Sequence, residues 1–166
     1  MNYLTVPLDA GFKKVEFSCG KGSLDDYLHK QVSQDIKRKL TVCFVIAENK
    51  TIKGYYTLSN HSIPQEQIPE EFRKKLPRSY TNLPTTLLGR LAVDKKHKGQ
   101  KIGETLLLDA LKRSLDVSKN SIASIAIIVD PIDDEAVAFY KKYGFIKLPD
   151  SGKMFMPMKT VEKLFV

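Results

Sequence analysis

Residues 87–111 read LLGRLAVDKKHKGQKIGETLLLDAL, and three kinds of sequence follow one another within them. The first part is apolar but for Arg90 and predicts a buried strand over Thr86–Val93. Asp94–Gly103 is a turn carrying Gly99, Gly103, Lys95, Lys96, His97, Lys98 and Lys101. Leu106, Leu107, Ala110, Leu111 and Leu115 then recur at helical spacing, which predicts a helix from Gly103 to about Val117. The first turn of such a helix offers unpaired N–H groups and the positive end of a dipole. A phosphate is stabilised there without special side chains, and the glycines and lysines of the turn add close approach and charge. The turn is neither a Walker A loop nor a Gly-x-Gly-x-x-Gly dinucleotide fingerprint, because the glycine spacing differs and Glu104-Thr105 follow Gly103. A plain strand-to-helix turn with a solvated basic rim is the competing reading.

After this helix, Ile122–Val129 is a nearly continuous apolar run and reads as a central strand. Asp133–Tyr143 reads as a short helix stopped by Gly144. Phe145–Leu148 and Lys153–Met158 read as terminal strands. On the other side, Thr41–Glu48 and Ile52–Ser59 predict two strands joined at Asn49-Lys50-Thr51. Before them, Leu24, Tyr27, Leu28, Val32 and Ile36 predict a helix over Leu24–Lys39, with Ser23 and Asp26 spaced as a capping box. Residues 62–84 hold four of the eight prolines and read as a long connection with a short helix at Pro69–Lys75. Helices alternating with strands after residue 85 predict the α/β class with a mixed α+β sheet. That sheet is expected to be central, twisted and partly parallel, with six to seven strands and helices on both faces.

The chain has 166 residues, so one domain over 1–166 is expected. Apolar residues at 42% and charged residues at 28% exclude a largely disordered chain. The formal net charge of +8 favours polyanionic partners. No apolar run reaches the roughly 18 residues of a membrane span, and the N-terminus lacks the pattern of a signal peptide. Cys19 and Cys43 match no zinc or redox spacing, which predicts packed thiols in a reducing cytoplasm and no metal site.

Lys98-Gly99-Gln100-Lys101-Ile102-Gly103, with FVIAENKTIKGYYTLSN before it and VDPIDDEAVAFYKKYGF after it, resembles the GNAT family of N-acetyltransferases. That family's loop, Gln/Arg-x-x-Gly-x-Gly/Ala, cradles the pyrophosphate of acetyl-CoA. Lys98 here replaces the Gln/Arg, and Lys101 replaces the middle glycine. Phe17-Ser18-Cys19-Gly20, Ser23–Leu28, Gly54–Leu58 and Leu88–Asp94 make the chain most similar to the acetyltransferase toxins of bacterial toxin–antitoxin pairs. The likeness runs over residues 14–158.

The resemblance implies an acetyl-CoA cosubstrate held by Leu91, Ala92, Val93, Lys98, Gly99, Gln100, Lys101, Ile102, Gly103 and Glu104. The strand residues among these, Leu91–Val93, would contribute backbone to the pantetheine arm and to the oxyanion. It implies Tyr140 of the Phe-Tyr pair as the general acid. A phenol of pKa about 10 can protonate a leaving thiolate of similar basicity. Tyr143 shares a helix face with Ala136, Phe139 and Tyr140, and Phe139 reads as core. No general base stands out. His61 reads as a loop histidine near the acceptor or with no role, His97 as charge beside phosphate, and His29 as exposed. Glu16 and Asp94 are unsupported candidates for a base. An α-amine with pKa near 7.7–8.0 is partly neutral at pH 7 and needs little help.

Arg73, Lys74, Lys75 and Arg78 fall in the 62–84 connection and have no coenzyme role. They read either as a grip on a tRNA backbone or as a solvated face. The toxin likeness implies aminoacyl-tRNA as acceptor and translation as the target. It also implies a ribbon-helix-helix antitoxin protein as partner, and a second copy of the chain is a further candidate. The other readings are an acetyltransferase acting on a small-molecule or protein amine, and a non-catalytic acyl-CoA- or RNA-binding module.

Overall fold

The computed structural model describes residues 2–166. Its seven strands are β1 (Val6–Pro7), β2 (Val42–Glu48), β3 (Thr51–Pro64), β4 (Asn82–Val93), β5 (Ala126–Val129), β6 (Ile146–Lys147) and β7 (Met154–Pro157). The helices are α1 (Gly22–Asp26), α2 (Val32–Lys37), α3 (Glu70–Arg73), α4 (Ile102–Asn120), α5 (Asp134–Lys142) and α6 (Met158–Leu164). The strands form one mixed, partly parallel sheet in the order β1-β2-β3-β4-β5-β7-β6. Helix α4 makes the crossover between β4 and β5. The expected class and strand number hold. The chain divides into two compact units, one made of residues up to Ser59 with Leu88–Arg113, the other of Asn60–Leu87 with Ser114–Val166.

In the first unit β1, β2 and β3 form an antiparallel meander, with Val6 opposite Val45 and Phe44 opposite Tyr56. Asn49 (φ 50°) and Lys50 (φ 68°) both take positive φ between the paired ends Glu48 and Thr51. That is the two-residue hairpin turn whose twist suits the flanking strands. Leu24, Tyr27, Leu28 and Val32 bury the helical segment against Cys43, Val45, Ile52 and Tyr55. Each such aliphatic side chain contributes about 1.5–3 kcal/mol by burial. The Tyr55 hydroxyl donates to the Leu24 carbonyl at 2.7 Å, so its one buried polar atom is satisfied. Both cysteines are free and buried. Burial pushes the Cys19 thiol up to about 11 and the Cys43 thiol up to about 12, so neither is a thiolate near neutral pH.

The expected continuous helix over Leu24–Lys39 is instead α1, a π-helical turn at Tyr27–Gln31, and α2. The Val32 N–H reaches back to the Tyr27 carbonyl, which absorbs one extra residue. The Ser23/Asp26 capping box does not form, because the helix starts at Gly22 and Ser23 already lies inside it.

In the second unit β7 pairs antiparallel with β5 and β6, with Ile128 opposite Phe155 and Lys147 opposite Met154. Its core joins Ile63, Ile68, Leu83, Ala126, Ile128, Leu148 and Phe155. Phe72 of α3 meets Phe155 edge-on at 5.2 Å, which fastens the proline-rich connection to the sheet. That connection is shorter than expected, since β3 runs on to Pro64 and β4 begins at Asn82. The strand expected over Ile122–Val129 begins only at Ala126. Helix α4 runs on to Asn120, and the N–H groups of Ser121 and Ile122 close it by donating to the Val117 carbonyl. Met158 opens α6, a helix not expected from the sequence, and buries with Val161 one turn on.

Candidate functional site

In the first unit β4 delivers Leu91, Ala92 and Val93 to the mouth of the basic turn, Ala92 buried and its neighbours half-buried. Asp94 then caps a short 3-10 turn, Lys95–His97. Its carboxylate accepts from the Lys96 N–H at 2.8 Å and from the Ser18 N–H at 3.1 Å. The Lys95 N–H donates to the Ser18 carbonyl at 2.8 Å. Asp94 is thus an anchoring carboxylate, buried at 5% exposure, and not a base.

Beyond it the chain turns twice through the left-handed region, at Gly99 (φ 83°) and at Lys101 (φ 60°), and enters α4 at Ile102. Gly99 meets the first requirement by its freedom from a Cβ. Lys101 meets the second at a cost of roughly 1 kcal/mol. The Thr105 N–H and hydroxyl both donate to the Lys101 carbonyl at 3.0 Å, which starts the helical ladder. The N–H groups from Lys98 to Glu104 have no partner among the described residues. Lys95, Lys96, Lys98, Gln100 and Lys101 are exposed around them, with Gly103 and Glu104 half-buried and Ile102 buried. A row of free donors at the start of a 19-residue helix, rimmed by lysines, suits a polyanion such as a pyrophosphate. Gly54 of β3 lets this helix start seat closely. A Cβ there would stand 2.8 Å from Leu106 Cδ1 and 3.1 Å from the Ala92 carbonyl oxygen.

In the second unit Asp133 caps α5 by accepting from the Ala136 N–H at 2.8 Å. Tyr140 lies on this helix with 7% exposure, edge-on to Phe139 and Phe145 at 5.3 Å each. Phe145 is placed by its own N–H, which donates to the Tyr140 carbonyl at 3.1 Å beyond Gly144 (φ 99°). The Tyr140 hydroxyl has no hydrogen-bond partner among the described residues, so the expected polar partner is absent. Desolvation alone raises its pKa above the ordinary tyrosine value. The phenol therefore keeps its proton at neutral pH and is free to give it to a bound group. Phe139 is half-buried, not core, and Tyr143 is half-buried against it at 5.1 Å.

His61 stands within β3, not in a loop. Burial, with Lys153 nearby, lowers its pKa, so the imidazole is neutral at pH 7. His29 is not exposed but half-buried, with Nε2 held 2.7 Å from the Phe17 carbonyl oxygen. His97 is half-buried in the 3-10 turn and Glu16 is exposed. The basic strip follows α3. Lys74, Lys75 and Arg78 are exposed, and Arg73 is half-buried with one guanidinium nitrogen 3.4 Å from the Glu66 carbonyl.

Two groups escaped the sequence reading. Asp109 of α4 accepts from the Thr5 and Tyr56 hydroxyls and, at 2.7 Å, from the Leu4 N–H, with the Arg113 guanidinium beside it. Arg90 of β4 stacks on the Tyr27 ring, 3.4 Å from its centroid. No metal-holding cluster of His, Cys, Asp or Glu exists among the described residues, and no helix among them is long and apolar enough to cross a membrane.

The acetyltransferase (GNAT) domain family matches residues 18–160. A protein of Mycobacterium tuberculosis described as a tRNA-acetylating toxin is 36% identical over 149 residues, 89% of this chain and 87% of its own length. The structure of AtaT complexed with acetyl-methionyl-tRNAfMet superposes with a TM-score of 0.89 at 29% identity, covering 98% of each chain. A tyrosine-to-phenylalanine mutant of the AtaT toxin, bound to the C-terminus of the antitoxin AtaR and acetyl-CoA, gives a TM-score of 0.82 at 27% identity. That match covers 98% of this chain and 97% of the other.

Proposed function

The chain belongs to the GNAT family of acetyltransferases, and from that premise we propose that it acetylates the α-amine of an aminoacyl-tRNA. The observation that carries this reading is the full-length likeness to AtaT with its acetylated aminoacyl-tRNA, supported by the curated tRNA-acetylating relative. The acetyl donor is acetyl-CoA. The row of free N–H groups from Lys98 to Glu104 fits the coenzyme's pyrophosphate, with Lys95, Lys96, Lys98 and Lys101 adding charge. The exposed ammonium of Lys101 compensates for its left-handed backbone by adding a cation at the phosphate side.

In the reaction the neutral amine nitrogen attacks the thioester carbonyl carbon. A C–N bond forms, the C–S bond breaks, and the leaving thiolate takes the proton of Tyr140. Backbone donors of Leu91–Val93 stabilise the oxyanion between the two steps. The new amide nitrogen loses its extra proton to water, and the phenol is reprotonated from solvent. No histidine has to act as base, because an esterified amino acid carries a weakly basic amine.

Arg73, Lys74, Lys75 and Arg78 supply the phosphate-binding strip for tRNA. One family match running through both compact units supports a single catalytic domain over the whole chain. An antitoxin protein is the expected partner, as for AtaT with AtaR. A cytoplasmic location follows from the substrate. An acceptor panel tests this reading: charged tRNA, a lysine peptide and a polyamine, each offered with acetyl-CoA. Preference for charged tRNA is the expected result. Turnover of the peptide or polyamine alone assigns the chain to the small-substrate enzymes of its family.

A further inference from the structure

We propose that Asp94 is a positioning residue for coenzyme binding, and that it works by tying the basic turn to a second segment, Phe17–Cys19. This rests on the reading that the turn holds the coenzyme. The two oxygens of one buried carboxylate divide their work. Oδ1 holds the Lys96 N–H at 2.8 Å inside the turn. Oδ2 holds the Ser18 N–H at 3.1 Å, 76 positions away in sequence. Ser18 returns the tie, since its carbonyl accepts the Lys95 N–H at 2.8 Å. Its donor and its acceptor are therefore both committed to the start of the turn.

The second segment is itself fastened from behind. The Asp25 carboxylate accepts from the Cys19 N–H at 2.8 Å and from the Ser18 hydroxyl at 3.3 Å. His29 Nε2 stands 2.7 Å from the Phe17 carbonyl oxygen. Three consecutive backbone units thus have fixed partners, and the middle one carries the load of the turn. The N-terminal attachment of the turn is completed by the Asp94 N–H, which donates to the Lys53 carbonyl at 2.8 Å.

The consequence concerns binding more than chemistry. The donors from Lys98 to Glu104 can meet an anion only if the backbone before them is already in place. A turn that must be ordered at the moment of binding loses affinity by that ordering cost. Its exposed lysines repel one another and favour a looser turn when nothing holds it.

Asp94→Asn separates the two bonds. Asparagine keeps an oxygen for the Lys96 N–H and remains a good cap, but it sets an NH₂ group against the Ser18 N–H. Calorimetric titration with coenzyme A is expected to show about tenfold weaker binding, the scale of one charge-assisted hydrogen bond. KM for acetyl-CoA should rise by the same factor, while kcat at saturating acetyl-CoA stays within about twofold. A residue that served stability alone would lower the melting temperature and leave the affinity of the folded fraction unchanged. Asp25→Ala loosens Ser18 from the other side and should weaken coenzyme A binding about threefold. The double variant should bind better than the product of the single losses predicts, because both act through Ser18.

Equal coenzyme A affinity in the wild type and Asp94→Asn would overturn the inference and leave the coenzyme reading standing. If Asp94→Asn does not fold, unchanged affinity in Asp25→Ala overturns it instead. A wild-type chain that binds no coenzyme A removes the premise and the inference together.

Discussion

Tyr140 is a phenol packed between two phenylalanine rings, with burial as the cause of its raised pKa. Such a group is protonated at neutral pH, so it carries the proton that a leaving thiolate needs. Tyr140→Phe should cut turnover about 10²-fold or more, in the range of general acid catalysis, and leave coenzyme A affinity unchanged. Turnover near the wild-type rate would remove it from the mechanism. His61 makes a separate prediction at this scale. Its pKa is lowered from 6.5 by burial, so below that value the unfolded chain takes up a proton that the folded chain refuses. Stability from this group is complete above pH 6.5 and falls as the pH drops below it. His61→Asn should flatten part of that acid slope in denaturant melts at pH 7.5 and 5.5, and an unchanged slope would contradict the assignment. The Phe-Tyr pair before Gly144 and the spaced Gly99/Gly103 are local patterns and were readable in the sequence, while the role proposed for Tyr140 came from the family resemblance. Asp94 was not readable in this way, because its partner Ser18 lies 76 positions away and no local period joins them. The same holds for Asp109, whose partners Leu4 and Thr5 come from the start of the chain.

At the scale of elements, the seating of α4 on β3 decides where the turn's donors stand. Gly54 allows that seating, since any Cβ would meet Leu106 and the Ala92 carbonyl at less than contact distance. Gly54→Ala should cost about 1–3 kcal/mol, as overpacking does, and lower the melting temperature by several degrees. It should also weaken coenzyme A binding, because the start of α4 must shift outward. A melting curve and a titration like those of the wild type would show that the helix start tolerates displacement. Strand–turn–helix order was readable here because the apolar period changes from continuous to helical across Asp94–Gly103. The π-helical turn and α6 were not. One extra residue in a helix leaves no mark on an amphipathic pattern of this length, and α6 is short enough to pass for the end of a strand.

At the scale of the whole molecule the excess of basic residues divides between two tasks. On the proposed reading, the lysines of the turn serve the coenzyme and the strip at the end of α3 serves the tRNA backbone. Replacing Arg73, Lys74 and Lys75 together by Ala should weaken use of tRNA and make its log–log salt dependence shallower by about two to three units. Activity on a small amine should change little. Unchanged tRNA kinetics would assign those charges to a solvated face. Acetyl transfer to the amino group of a charged tRNA can be measured directly. Acetyl-CoA carrying a labelled acetyl group is incubated with the protein and fully charged tRNA, with uncharged tRNA as control. We expect label in the charged RNA alone, released by mild alkaline cleavage of the aminoacyl ester as an N-acetylated amino acid. Label in neither RNA, from a protein shown to bind coenzyme A, would rule out transfer to aminoacyl-tRNA.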